Sequence, residues 1–224
     1  MWQDFNKTSI MDGFFNKDGI AVIADIVSAI QQNKEMLSRI DGAIGDGDHG
    51  INMNKGFTIA SKRIDGSHNL SSGFGVVANV LLTEIGGSMG PIYGTFFEVL
   101  SNKSEPHDII NKNIFGHMLE SATDSVIEIC GAQPGDKTLI DALVPAIHNF
   151  GGVINKNGTF EDALQAMVKG AEEGRDSTIN LIARKGRSSR LGERSKGVVD
   201  AGAASCYLIL EAMAKSISKI LRTT

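Results

Sequence analysis

Four prolines, two cysteines and 6% aromatic residues make little of this 224-residue chain. So few prolines do not make a disordered linker composition, which is proline-rich. Two cysteines cannot form a disulfide framework, and Cys130 and Cys206 suit a reducing compartment as small core residues. Basic excess is also missing: 22 Lys and Arg face 26 Asp and Glu, a net charge of -4 that argues against a nucleic-acid footprint. No apolar run nears the roughly 18 residues of a membrane span, so no membrane association is expected. The opening MWQDFNKTSI has no basic segment leading into an apolar one, so no signal peptide and a cytoplasmic location are expected. Glycine is the abundant residue, at 26 positions. That is about 12%, against a usual ~7%.

Apolar residues recur almost everywhere at three- and four-residue steps, the mark of amphipathic helix. Ile20, Ile23, Val27, Ile30 and Leu37 form one stripe, and Met53, Phe57, Ala60 and Ile64 another. Phe74, Val77, Leu81, Leu82 and Ile85 form a third, and Ile92, Phe96 and Val99 follow Pro91, which suits a first helical position. Longer stripes run from Phe115 to Ile129, from Leu139 to Phe150 and from Ala203 to Leu221. Thr159 with Asp162 resembles a capping box before Leu164 and Met167, and Ile179 to Ala183 is a short helical candidate. No convincing period-2 strand is found, and βα alternation is absent, which excludes a doubly wound sheet. About eight or nine helices around a shared core are expected, all within one domain over residues 1–224. The polar stretch Leu100–Lys112, with Pro106, reads as a loop or a weak boundary, although neither half looks complete alone.

The glycines cluster in four loops. In DGAIGDGDHG, Asp41, Asp46 and Asp48 stand at i, i+5 and i+7, followed by His49. Apposed carboxylates roughly 4 Å apart repel by about 4 kcal/mol per pair at an effective dielectric near 20, so a loop that gathers them calls for cations. An all-oxygen set suits a hard ion such as Mg²⁺. A solvated acidic turn is the other reading, since Asp and Gly are turn residues in any case. GGSMG, Gly86 to Gly90, leads into a helix, and small residues there allow close approach of an anion to backbone N–H groups. A tight helix–helix turn has the same composition. GAQPGDKT, Gly131 to Thr138, nearly imitates a Walker A loop but has Asp136 in place of the glycine and follows a helix, which leaves a turn ending in a helix cap near Asp141. Lys185 to Cys206 carries Lys185, Arg187, Arg190, Arg194 and Lys196, then Asp200 before a long helix. It fits a polyphosphate cradle or a mobile charged loop. Taken together, the four loops suggest a magnesium–nucleotide site of neither P-loop nor Rossmann type.

The stretches IGDGDHGINMNKGF, GGSMGPIYGTFF, AQPGDKTLIDAL and GRSSRLGERSKGVVDAGAAS span Ile44 to Ser205. In that order they resemble the nucleotide-binding L subunit (the DhaL or Dak2 domain) of dihydroxyacetone kinase. The resemblance implies an all-α fold, a closed barrel of about eight antiparallel amphipathic helices with the nucleotide site at one end. It implies two Mg²⁺ ions on Asp41, Asp46 and Asp48, which with Arg187 would form the catalytic set. Nucleotide contacts would fall to His49, Gly50, Ile51 and Asn52, to Ser88 and Met89, to Cys130 (where the family commonly has glycine), to Leu139 and Arg187, and to Asp200, Ala201 and Gly202. Ser88 and Met89 stand where the family often reads Ala-Ser, and Ala201 where it has proline.

The same resemblance implies a phosphotransferase that holds ADP tightly, or uses ATP, and passes phosphate to dihydroxyacetone on a separate K subunit. The donor would be a histidine phosphoprotein of the phosphoenolpyruvate phosphotransferase chain, the M subunit. An ATP-dependent kinase subunit for another short ketose, a magnesium-dependent hydrolase and a noncatalytic nucleotide-binding adaptor are the alternatives.

Overall fold

The computed structural model describes residues 12–223. The absence of an export signal read from Met1–Ile10 lies outside the described residues. Among the described residues there are nine α-helices: α1 (Ile20–Gln32), α2 (Lys34–Ile44), α3 (His49–Arg63), α4 (Leu70–Glu84), α5 (Met89–Ser104), α6 (Lys112–Cys130), α7 (Ile140–Ile154), α8 (Phe160–Ser177) and α9 (Ala201–Leu221). None is long and apolar enough to cross a membrane. Short 3-10 turns at Asn16–Asp18, Thr178–Asn180 and Arg187–Ser195 complete the helical set.

Local chemistry explains most boundaries. The capping box at Thr159 forms as expected, with its Oγ1 accepting the Asp162 N–H at 3.1 Å. Asn69 and Ser72 build a second one at the start of α4. Asn111 accepts the N–H groups of Asn113 and Ile114, both at 3.0 Å, and Gly131 closes α6 in the left-handed region at φ 56°.

Four features depart from the sequence reading. The first stripe is two helices, because the Asn33 side chain takes the Ala29 carbonyl at 2.8 Å and ends α1, while its own carbonyl receives the Leu37 N–H and starts α2. The stretch Leu100–Lys112 is not all loop: α5 runs on to Ser104. Two three-residue strands also form, β1 (Gly13–Phe15) and β2 (Ile109–Asn111), paired antiparallel with Phe14 opposite Ile110. Three residues are too few to display a period of two. The Ile179–Ala183 candidate reduces to the turn at Thr178–Asn180.

Packing follows chain order. Each helix from α3 to α9 packs on the next, α9 packs on α1, and α1 packs on α3. One continuous apolar cluster lies between them. It contains two aromatic groups, Phe97 against Phe57, Phe74 and Phe96, and Phe115 against Phe150 and Phe160, with ring centroids 5.4 to 6.2 Å apart. The helix α2 packs against α3, α9 and the Arg187–Ser195 segment.

Candidate nucleotide and metal site

Helix ends meet around one cleft of about 490 Å³. The C-terminal ends of α2 and α6 reach it, and so do the N-termini of α3, α5, α7 and α9. Each N-terminus carries a positive partial charge and N–H groups that have no carbonyl partner within the helix, so four of them in one cleft favour an anion.

The acidic loop follows α2. Asp41 lies in the last turn of α2, Asp46 in the loop, and Asp48 at the N-cap of α3. Their carboxylate oxygens come within 4.8 Å of one another. One Asp41 oxygen also accepts the backbone N–H of His49 at 3.3 Å. Among the described residues, the one cation paired with these carboxylates is the Arg187 guanidinium, on Asp46. Three carboxylates with one partner remain net negative, and a hard divalent ion with oxygen ligands fits that donor set.

Of the residues expected at the site, Asp41, Asp46, Asp48, His49, Asn52, Ser88, Met89, Cys130, Leu139, Arg187, Asp200, Ala201 and Gly202 all line the cleft. Gly50 and Ile51 do not. Gly50 is buried against α2, where a Cβ would stand 2.1 Å from the Lys34 carbonyl oxygen, so glycine is required there for packing. Ile51 is 54% exposed on the outer side of α3. From the basic loop, Lys185 and Arg187 reach the cleft, whereas Arg190, Arg194 and Lys196 do not line it. Gly90, in the first turn of α5, is also a packing glycine: a Cβ would meet the Ile85 carbonyl oxygen at 2.1 Å, so only glycine lets the α4–α5 turn fold back this tightly.

Deeper in, the GDKT turn holds a lysine that sequence reasoning left without a role. Lys137 is 1% exposed, in the left-handed region at φ 64°, and its Nζ donates to the carbonyls of Thr178 and Val198, each at 2.6 Å. It thereby ties the segment before α9 to the turn before α7. Burial lowers its pKa, opposed by Asp200 and Asp141. Asp141, in the first turn of α7, accepts the N–H groups of Gly135 and Thr138, at 2.5 and 2.7 Å, and so fixes the preceding turn, while Leu139 at the N-cap supplies no side-chain cap. Asp200 caps α9 by accepting the Ala203 N–H at 2.8 Å, and burial pushes its pKa up to about 7.

His49 is buried enough that its pKa falls to about 4, although Asp41 pulls the other way. Its Nε2 meets Ser205 Oγ at 2.8 Å, and Ser205 Oγ meets the Tyr93 hydroxyl at 2.6 Å. Neither Tyr93 nor Ser205 was expected at the site. One signal was available for Tyr93: a buried tyrosine needs a partner for its hydroxyl.

The DAK2 domain model matches residues 43–215, most of the chain. The chain belongs to the DAK2 domain family. Among curated relatives, this DAK2 domain is 36% identical over 183 residues to the PEP-dependent dihydroxyacetone kinase, ADP-binding subunit DhaL, of Escherichia coli (strain K12), covering 80% of this chain and 87% of that one. It is 32% identical over 205 residues to the PEP-dependent dihydroxyacetone kinase 2, ADP-binding subunit DhaL, of Listeria innocua, covering 88% and 93%. Its fold is also similar to that of the dihydroxyacetone kinase from C. freundii in complex with AMP-PNP and Mg²⁺, with a TM-score of 0.67 at 22% identity. That match covers 96% of this DAK2 domain but 37% of the C. freundii chain.

Proposed function

We propose that this DAK2 domain is the ADP-binding subunit of a two-part dihydroxyacetone kinase, working in the cytoplasm and fed by a phosphoenolpyruvate phosphotransferase chain. The observation that carries this reading is the meeting of Asp41, Asp46 and Asp48 at a cleft that four helix N-termini also enter. The named relatives supply the acceptor and the donor system. They are separate ADP-binding subunits, and this chain spans nearly their whole length.

In this reading Asp41, Asp46 and Asp48 hold two Mg²⁺ ions, which neutralise phosphate charge and disperse the charge that develops in transfer. The protein's own task is alignment. The N-termini of α5 and α9 grip the phosphates, with Ser88 and Met89 on one side and Ala201 and Gly202 on the other. Asn52, Cys130 and Leu139 complete the wall. Arg187 is 68% exposed in its side chain and sits on a segment packed against α2, so it reaches the phosphates from the acidic loop. Asp200 holds the first turn of α9 in place through its cap. The acceptor is held by a K subunit, and the phosphoryl group arrives from the histidine phosphoprotein M subunit, with ADP staying bound between turnovers. Several charge-assisted contacts broken together give slow release.

The test mixes the purified chain with a K subunit, an M subunit fed from phosphoenolpyruvate, and labelled ADP. Phosphorylation of dihydroxyacetone with the label retained over many turnovers is expected, and no phosphorylation without the K subunit. Label lost within one turnover, with ATP alone sustaining the reaction, would replace the phosphotransferase route by an ATP-dependent one. Tight ADP binding without transfer to any K subunit would make the chain an adaptor.

A further inference from the structure

The segment that carries Arg187 leaves the end of α8 and returns to α9, and it has almost no core of its own. Between residues 181 and 198 only Ala183 and Ser195 are buried. Such a stretch keeps its shape through hydrogen bonds at its base. Gly197 donates its N–H to the Ile179 carbonyl at 2.8 Å, and Arg184 donates its N–H to the Asp136 carbonyl at 3.0 Å. Thr178 Oγ1 accepts the Asp200 N–H at 2.9 Å, and Ser195 Oγ accepts the Ala183 N–H at 2.9 Å. At the other end of the segment, over the cleft, the Arg187 guanidinium pairs with Asp46.

Lys137 grips both ends of this segment with one atom from outside it. Its Nζ donates to the carbonyls of Thr178, where the segment begins, and Val198, where it ends, at 2.6 Å each. An ammonium has three hydrogens on one tetrahedral nitrogen, so it can serve two carbonyls that approach from different stretches of chain. Bonds from a charged donor are also the stronger kind. The backbone adds a second sign. Lys137 lies in the left-handed region at φ 64°, which costs a residue with a Cβ and costs glycine nothing. What lysine offers there is therefore its side chain, and that side chain is 1% exposed.

We propose that Lys137 is a positioning residue for Arg187: by clamping the Thr178 and Val198 carbonyls it fixes the base of the basic segment, and so the place of the guanidinium over the acidic loop. Arg187 is 68% exposed in its side chain, so burial does little to place it and the base of its segment must. This rests on the cleft being the magnesium–nucleotide site, where Arg187 meets the phosphates, although the clamp itself can be read without any ligand.

The experiment compares wild type with Lys137→Met, which keeps much of the side chain's length and removes its charge and donors. Without ligand, trypsin is expected to cut Lys137→Met about 10-fold faster at Lys185, Arg187 and Arg190, and no faster within the helices. Affinity for ADP with Mg²⁺ is expected to fall by about 10-fold. In an Arg187→Ala background the same substitution is expected to change affinity by less than about 2-fold, because the residue it positions is gone. An undiminished loss in that background overturns the proposal, since Lys137 would then act through the fold at large. An unchanged tryptic pattern overturns it too, and so does faster cleavage spread over the helices of a folded variant. Should Lys137→Met not fold, the wild-type ammonium decides. In ¹H–¹⁵N correlation of the lysine side chains, the Lys137 Nζ hydrogens are expected to exchange with water far more slowly than those of exposed lysines, and equal exchange overturns the clamp. Failure of wild type to bind ADP counts against the nucleotide reading alone, because digestion and exchange are read in its absence.

Discussion

The cleft end and the phenylalanine core obey opposite rules. Phe97 is fully buried in the apolar cluster, and three other rings touch it. At the cleft, three carboxylates gather with a guanidinium paired to Asp46, a lysine is buried in the left-handed region, and a carboxyl group is pushed toward neutrality. The core stabilises the fold and has no chemistry. The cleft is assembled against electrostatic cost, and the packing elsewhere must hold it together. The contrast predicts that substitutions in the two regions separate stability from binding.

The largest effect is expected in the core. Phe97→Ala should lower stability by about 3–5 kcal/mol, through lost burial and the cavity left behind. Denaturant titration measures it, and a loss under 1 kcal/mol would show that the site collapses around the smaller residue.

At the cleft, Asp46→Asn should weaken magnesium-dependent ADP binding by about 100-fold, at the upper end of what loss of even an outer-shell partner of a metal costs, with little change in melting temperature. Calorimetric titration with ADP, at fixed magnesium, is the measurement. Unchanged affinity would remove the metal role from the acidic loop, and a collapse in stability would erase the contrast between the two regions.

A smaller effect appears in pH dependence. Folded Asp200 keeps its proton up to about pH 7, whereas the unfolded chain releases it near 3.8. Between those values the folded state binds the extra proton, so this group's contribution to stability falls as pH rises from about 4 to about 7. Asp200→Asn keeps an oxygen to cap α9 and should flatten that decline. Urea denaturation at a series of pH values reads it, and equal slopes for both proteins would refute the assignment.

The smallest is far from the cleft. Thr159→Ala removes the α8 capping box and should cost about 1 kcal/mol with no change in ADP affinity.

Much of this was legible in local sequence. A helix announces itself through spacing over three or four residues, and a cap through a side chain two or three residues from the N–H groups it serves. The capping box at Thr159 and the helical class needed nothing more. Asp41, Asp46 and Asp48 were visible as candidates because one glycine-rich loop carries all three, while their meeting within 4.8 Å came from the fold. Tertiary structure alone decided the rest. Gly50 and Ile51 sit in the same run as His49 and Asn52, yet the rotation of α3 turns one into α2 and the other to solvent. Lys137 reads as a surface turn residue until carbonyls 41 and 61 positions away close over its ammonium. The strands β1 and β2 are three residues each, too short for a pattern, and exist because they pair across nearly a hundred residues. His49, Tyr93 and Ser205 become one hydrogen-bonded line only when three helices pack, since the partners are 156 and 112 residues apart and no local pattern carries that distance.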